Sequence, residues 1–358
     1  MLKVFSGLYD RYFSEEEAII FAILLVIGIA IMMTMGGVMA PLLCAMIITF
    51  MLQGLVNSLE RLNIPHRTSV YLVYLLFLGG AAVFILIFMP FSWSRLTVFV
   101  NELPSMIDQL RTLLLLLPEN YPELFSEAQV EQWLSAMQGE LGLFGQAVLS
   151  YSVSSITRVV TLLVYTVLVP IMVFFMLRDL EKLLNFLERW LPEKRPIMLQ
   201  VWHEMNDQLA NYIRGKAVEV LIVGVASYLV FAVFDLNYPV ILAVLVGLSV
   251  IVPYVGATVV TIPVLLVGFF QWGFTGDLLQ VLIAYTVVQI IDGNILVPLI
   301  FSETVNLHPI SIITAVLVFG GLWGFWGVFF AIPLATFIKA VIRAWPVSHA
   351  SKKTADDS

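Results

Sequence analysis

The chain has 358 residues, 60% of them hydrophobic and 12% charged, with a formal net charge of −7 and a mean hydropathy of +0.97. Soluble globular chains are about half apolar and roughly a quarter charged, so the composition specifies an integral membrane protein whose surroundings are lipid rather than nucleic acid. The one cysteine, Cys44, excludes an internal disulfide and a multi-cysteine metal site, and its apolar neighbours suit inert packing.

Along the chain, Lys3 and Arg11 precede Glu15, Glu16 and Glu17, and the apolar run that follows outlasts a signal-peptide core. It reads as a retained first span. Residues 18–35 and 38–56 form two apolar segments separated by Gly36-Gly37, each near the roughly 20 residues that cross a bilayer. Pro41 falls in the first turn of the second, where its missing N–H matters least. A third span over 70–89 is expected to stop at Pro90, closing an N-terminal unit of three spans over 1–91. Further spans fall at 152–177, with Pro170 expected to kink it, and at 213–234 and 278–300.

Charge sets the sidedness. Arg61 and Arg67 lie in 57–69, and Arg178, Lys182, Arg189, Lys194, Arg195, Arg214 and Lys216 lie in 178–216. The 92–151 segment is acidic instead, with Glu102, Asp108, Glu119, Glu123, Glu127, Glu131 and Glu140. Because Lys and Arg gather on the cytoplasmic side, 57–69, 178–216 and both termini are expected inside, and 92–151 outside. Within 92–151, apolar residues recur at helical spacing, and Ser126 followed by Gln129 matches a capping box. A small extracytoplasmic helical domain is therefore expected there. The 152–212 region would hold the fourth span and cytoplasmic amphipathic helices interrupted at Pro192 and Pro196, and 346–358 a cytoplasmic tail.

The remaining region, 213–345, contains two apolar stretches of unusual length, 239–271 and 309–342. Each is too long for one upright crossing, and half of each, at 1.5 Å per residue, spans only about 21–24 Å against a core of about 30 Å. Breaks are visible at "IVPYVG" (251–256) and "GGLWGFWG" (320–327). Pro239 and Pro263 are 24 positions apart, as are Pro309 and Pro333, and isoleucine precedes the second proline in both. The expected architecture is an all-α polytopic membrane protein of about six full spans plus two re-entrant or paired half-helix hairpins, with two full crossings per stretch as the alternative. Non-helical backbone at membrane depth survives where protein buries it or water reaches it. Half-helices meeting near the midplane are a recurring way to build a transport site.

The combined motifs "NYIRGK" (211–216), "IVPYVGA" (251–257), "QIIDGNILVPLIF" (289–301), "VNLHPI" (305–310) and "FGGLWGFWGVFFAIPLA" (319–335) resemble the autoinducer-2 exporter family of permeases, and the last of them, with "PIMVFFMLRD" (170–179), most resembles its PerM-type members. The resemblance spans nearly the whole chain. It implies about eight membrane segments, a homo-oligomer with a pentamer as the expected form, and export of a quorum-sensing signal or sodium–proton exchange. Many members carry Glu where Asp292 stands, so the resemblance leaves the substrate open.

Candidate site residues follow from cost. Asp292, with Gln289 and Asn294 in "QIIDGN", lies deep in a span, where an ionisable group marks a pathway or an interhelical contact. Asp292 would bind a cation or carry a proton. Pro253, Tyr254 and Gly256 form the first break, with Tyr254 the aromatic available for stacking. Arg214 is either an interfacial anchor or a partner for Asp292 or an anionic solute. Gly320, Gly321, Gly324 and Gly327 would form the second tip, either as a gate or as small residues for close packing, with Pro298 and His308 flanking it. His308 is either a proton sensor or a cap. No Walker A or G-x-S-x-G motif occurs, and "HEMND" (203–207) lacks the second histidine of a zinc protease. The expectation is a secondary transporter of a small polar solute in the bacterial inner membrane, not an enzyme, with no cofactor beyond proton or sodium coupling. A cation–proton antiporter and a non-transporting scaffold are the alternatives.

Overall fold

The computed structural model describes residues 16–120, 126, 128–132, 135–136, 139, 156–192, 195–253, 255–301 and 307–345. Every regular element among them is helical. In chain order they are α1 (Glu16–Arg61), α2 (His66–Val83), a π-helical turn (Phe84–Phe88), α3 (Met89–Asn120), α4 (Ile156–Glu188), α5 (Pro196–Val233), α6 (Pro239–Ser249), α7 (Val255–Trp272), α8 (Gly276–Ile291), a second π-helical turn (Asp292–Leu296), α9 (Val297–Phe301), α10 (Pro309–Phe329) and α11 (Ala331–Ala344). Seven helical stretches among the described residues are long and apolar enough to cross a membrane. The chain is an all-α polytopic membrane protein.

Helix boundaries follow local chemistry, with two departures from expectation. The two N-terminal spans, Glu17–Met35 and Val38–Arg61, meet at a kink at Met35 (φ −116°, ψ 15°) beside Gly36-Gly37, where the sequence separates them. The helix does not stop at Pro90. It widens into the turn at Phe84–Phe88, where the Met89 N–H bonds to the Phe84 carbonyl five residues back, and then continues as α3. A proline removes one donor and crowds the carbonyl four residues earlier, and a widened turn just ahead of it absorbs both. In α4 the non-helical residue is Asp179 (φ −120°, ψ 22°) rather than Pro170. There the Asp179 carboxylate accepts from Lys182 Nζ and Arg178 Nε at 2.7 and 2.9 Å, and these two donors, Lys182 first, hold its carboxyl below the usual carboxylate range. The Ser126–Gln129 capping box is present, with Ser126 N–H on Gln129 Oε1 at 3.2 Å and Gln129 N–H on Ser126 Oγ at 3.3 Å. The rest of the expected outer domain beyond Asn120 lies almost wholly outside the described residues.

The chain divides into two compact units that interleave in sequence. One comprises Met1–Tyr74, Val167–Ala217 and Leu299–Ser358, the other Leu75–Thr166 and Val218–Pro298. In the first unit, the buried Glu17 carboxylate of α1 accepts the Met198 N–H at 2.9 Å, satisfying a free donor in the first turn of α5. Around it Ala18, Phe21, Ile197 and Val201 pack with Phe337 and Trp345. On the same unit Tyr71 and Tyr74 of α2 meet Phe174 of α4, ring centroids 5.9 and 5.0 Å apart.

In the second unit, Phe99, Val223, Phe231, Leu242, Val246, Val264 and Tyr285 form the core. Lipid is as apolar as these side chains, so close van der Waals fit holds the helices together. One close approach is α5 against α6. A Cβ on Gly247 would lie 2.9 Å from the Val220 carbonyl oxygen and 3.1 Å from the Gly224 Cα. The short loop between these helices is held in an unusual path, with Asp235 (φ 53°) and Tyr238 (φ 59°) both left-handed without being glycine. Gln271 at the end of α7 fixes it from both sides of one amide: Nε2 donates to the Asp235 carbonyl and Oε1 accepts from the Asn237 N–H, each at 2.7 Å.

Overpacking a tight contact costs about 1–3 kcal/mol, so Gly247→Val is expected to destabilise the detergent-solubilised protein by that amount, while Gly293→Val, where an added Cβ meets nothing within 4 Å, stays near wild type; thermal unfolding of both checks this. Burial first, then the Glu102 carboxylate beside the hydroxyl, push Tyr238 up to about 12. An unfolded tyrosine titrates near 10, so the stabilisation is complete below about 10 and is lost as pH rises toward 12. Melting curves between pH 9 and 12 should fall more steeply for wild type than for Tyr238→Phe.

Candidate functional site

The two breaks share a construction. In the first, α6 ends at Ser249, and the turn closes through Ile251 N–H to Leu248 O (3.2 Å), Val252 N–H to Ser249 O (3.0 Å) and Gly256 N–H to Val252 O (3.0 Å). The chain doubles back so tightly that a Cβ on Gly256 would stand 1.8 Å from the Ser249 carbonyl oxygen. In the second, a Cβ on Gly327 would stand 1.8 Å from the Phe319 carbonyl oxygen and 3.1 Å from the Gly320 nitrogen. A straight helix would hold Phe319 and Gly327 about 12 Å apart. Although α10 counts 21 residues by its hydrogen bonds, it therefore reverses direction and is not a single crossing rod. The reversal passes through Gly324 (φ 60°, ψ −135°), a conformation essentially closed to other residues.

The registers agree as well. Ser249 is ten residues after Pro239, and Phe319 is ten after Pro309; the facing glycines follow at 17 and 18. Each approach arm, 239–249 and 309–319, has 11 residues and is about 16 Å long, half a hydrocarbon core. Gly320 and Gly324 serve the turn itself. The neighbour of a Cβ on Gly320 would be Val328 of the same hairpin (2.8 Å), and Gly321 and Gly324 meet nothing within 4 Å. Pro253 is partly buried in the first tip, and Tyr254 lies outside the described residues.

The other polar site belongs to the second unit. There α8 ends in the π-helical turn Asp292–Leu296, where the Val297 N–H bonds to the Asp292 carbonyl, five residues back. Pro298 follows two residues after this turn, as Pro90 follows the first. Asn294 ties the turn to the helix before it, because its Nδ2 donates to the Ile290 carbonyl at 2.9 Å. Asp292 is partly buried at the start of the turn, and Gly293 faces open space. One turn before, Gln289 lies beside the Tyr285 hydroxyl, which is 3.0 Å from Thr261 Oγ1 of α7. Tyr285, Gln289 and Asp292, at i, i+4 and i+7, form one polar stripe on α8.

Two buried N–H donors lack acceptors among the described residues: Gln289 Nε2 on that stripe, and the Trp323 indole Nε1 in the second tip. Leaving a buried donor unmatched costs about 1–3 kcal/mol, and both fall at the sites that the sequence singles out. Trp323, Thr261 and Tyr285 were not among the candidates chosen from the sequence. The i, i+4, i+7 spacing and the placement of a tryptophan among four glycines were the available signals.

The flanking candidates have local roles. His308 caps α10, its ring Nδ1 accepting the Ile310 N–H at 3.3 Å. Arg214 donates from Nε to the Ala210 carbonyl (3.0 Å) and from Nη2 to Asn211 Oδ1 (3.2 Å), while its stem lies over Gly54. Beside it, Gly215 sits against Ile300 and Phe301, and Lys216 Nζ is 5.5 Å from the centre of the Phe301 ring.

With this geometry in place, the comparisons with known proteins are decisive. The sequence profile of the AI-2E family transporter matches residues 19–347. The chain belongs to this family. Among its AI-2E relatives, "Putative permease PerM" of Escherichia coli (strain K12) is 43% identical over 346 residues, covering 97% of this chain and 98% of the relative. "Putative transport protein YueF" of Bacillus subtilis (strain 168) is 30% identical over 305 residues, covering 84% and 82%, and "Putative transport protein YrrI" of the same strain is 26% identical over 303 residues, covering 84% and 85%. AI-2E membership and the apolar helices together make the chain a multi-pass membrane transporter.

The closed glycines yield a direct test. Gly256→Ala and Gly327→Ala each force a methyl into a main-chain carbonyl and are expected to cost about 3 kcal/mol or more, read as loss of monodisperse protein on size-exclusion chromatography. Gly321→Ala, in open space, should elute and melt like wild type.

Proposed function

We propose that this AI-2E family member is a secondary transporter that moves a small polar solute, such as a quorum-sensing signal, outward across the bacterial inner membrane, driven by a proton or sodium gradient. Each of the two related tips offers main-chain and side-chain hydrogen-bonding groups to a solute. The observation that carries this reading is the paired construction: equal 11-residue approach arms, each ending in a carbonyl that faces a closely packed glycine. A purely structural kink has no need of the same arrangement twice. The unmatched Trp323 indole N–H can donate to a hydroxyl or carbonyl oxygen of the solute, and Asp292 supplies the charge that couples transport to a cation. Both termini are cytoplasmic, and the transporter works as a homo-oligomer, with a pentamer as the form that the family resemblance suggests.

Trp323→Phe keeps an aromatic ring at the position and removes the indole N–H donor with part of the ring. In proteoliposomes carrying the purified protein, gradient-driven solute flux should fall about tenfold, the equivalent of about 1.4 kcal/mol, while the melting temperature holds or rises because an unmatched donor is gone. A structural tryptophan would leave flux unchanged. Asp292→Asn should abolish coupling to the ion gradient; flux indifferent to it would remove both ion coupling at Asp292 and the sodium–proton antiporter alternative. Folded wild-type protein that carries nothing under any gradient would favour the scaffold.

A further inference from the structure

A second polar site lies away from both hairpin tips, at the other end of α6. A cleft of about 520 Å³ opens between α3 and the α5–α6 loop, lined by Phe91, Arg95, Val98 and Glu102 on one side and by Asn237, Tyr238 and the first turn of α6 on the other. Its volume suits a small ligand. The four α3 residues fall at i, i+4, i+7 and i+11, a single stripe along the helix. The stripe places one cation and one anion about 10 Å apart along the axis, with the apolar Val98 between them.

Both charges are available. The Arg95 guanidinium stands 5.4 Å from the centre of the Phe91 ring, which orients it without neutralising it. Among the described residues no carboxylate comes within ion-pair distance of it. Glu102 is exposed and reaches the Tyr238 hydroxyl, and Arg95 is close enough to act on the same hydroxyl electrostatically. Tyr238 is held at this point by its left-handed backbone, by the edge of Phe99 with ring centroids 5.3 Å apart, and by the Gln271 clamp on the residues before it. A loop that holds two left-handed non-glycine residues in place to present a tyrosine between opposite charges is a costly arrangement, and such costs gather at ligand sites.

The cleft also lies at the end of an apolar run. The long apolar stretch that begins at His66 ends at Glu102, and Phe91 and Val98, which line the cleft, remain exposed. Aromatic and apolar side chains flanking a few charges are the composition of a headgroup-level surface.

We propose that this cleft binds a phosphate–ammonium zwitterion, the phosphate on Arg95 and the ammonium on Glu102, supplied either by the headgroup of phosphatidylethanolamine or by a free solute of the same chemistry. The planar guanidinium takes two phosphate oxygens at once, the carboxylate and the Tyr238 oxygen receive the ammonium protons, and Val98 underlies the short carbon link. Occupancy there would steady the start of α6, whose far end, ten residues on, is Ser249 of the first tip. The site does not depend on the transport reading, because binding is measured without flux.

The test uses the purified full-length protein. O-phosphoethanolamine and inorganic phosphate are titrated in detergent by calorimetry, and phosphatidylethanolamine is compared with phosphatidylglycerol of the same acyl chains by native mass spectrometry. Arg95→Gln should weaken phosphoethanolamine, inorganic phosphate and phosphatidylethanolamine at least tenfold. Glu102→Gln should weaken the two ammonium-bearing ligands tenfold and leave inorganic phosphate unchanged. Both positions are exposed, and melting curves confirm that the variants fold. Binding of the free zwitterion alone assigns a solute, and binding of the lipid alone assigns the headgroup; either supports the site. Folded variants that match wild type toward every ligand, or a wild type that holds phosphatidylglycerol as tightly as phosphatidylethanolamine, would overturn it.

Discussion

In hydrocarbon a peptide N–H or carbonyl has no water to turn to, so each must find its partner in the protein. Nearly every feature of this fold answers that constraint. Long apolar stretches are helices because a helix satisfies its own backbone. Ahead of two prolines the ladder widens rather than breaks: Phe84–Phe88 before Pro90 and Asp292–Leu296 before Pro298 each shift one bond to a carbonyl five residues back. Side chains add further partners: Asn294 donates to the Ile290 carbonyl beside the second widened turn, and Glu17 accepts from the opening turn of α5.

Against that background the two hairpin tips are where the chain turns back on itself within an apolar stretch. They reach the same end through different local means. The first ends its approach arm in a short series of turn bonds over 248–256 and needs no left-handed residue among those described. The second turns through Gly324 and a run of glycines. What the two have in common is the length of the approach arm and a glycine pressed on its last carbonyl. Equal length with unlike turns is the pattern expected when depth in the membrane is constrained and the route around the tip is not.

Much of this was legible in the residues. Apolar length located the membrane helices, and the equal proline spacing of the two stretches pointed to their kinship before any geometry. The Ser126–Gln129 box is a local signal and appears as read. Other features escaped because they depend on partners distant in sequence or on small energy differences. Pro90 reads as a stop, since nothing in the sequence announces a widened turn. Pro170 reads as a kink, yet the departure falls at Asp179, where a carboxylate can gather Arg178 and Lys182. The glycines of 320–327 fit a helix-packing rule by spacing alone; only the fold distinguishes Gly327, pressed against a carbonyl, from Gly321, which faces open space. Tyr285 meeting Thr261 across 24 positions is likewise invisible without the pairing of α7 with α8.

The Gln271 amide fastens the base of the first hairpin to the preceding loop, and the Ser249–Gly256 contact fastens its apex. Riveted at both ends, its two arms cannot scissor apart without breaking main-chain contacts at one rivet or the other. Any large excursion of this element must then take the form of a whole-body tilt or slide, with α6 and α7 travelling as one stiff plank and the bending confined to the segments that join it to its neighbours.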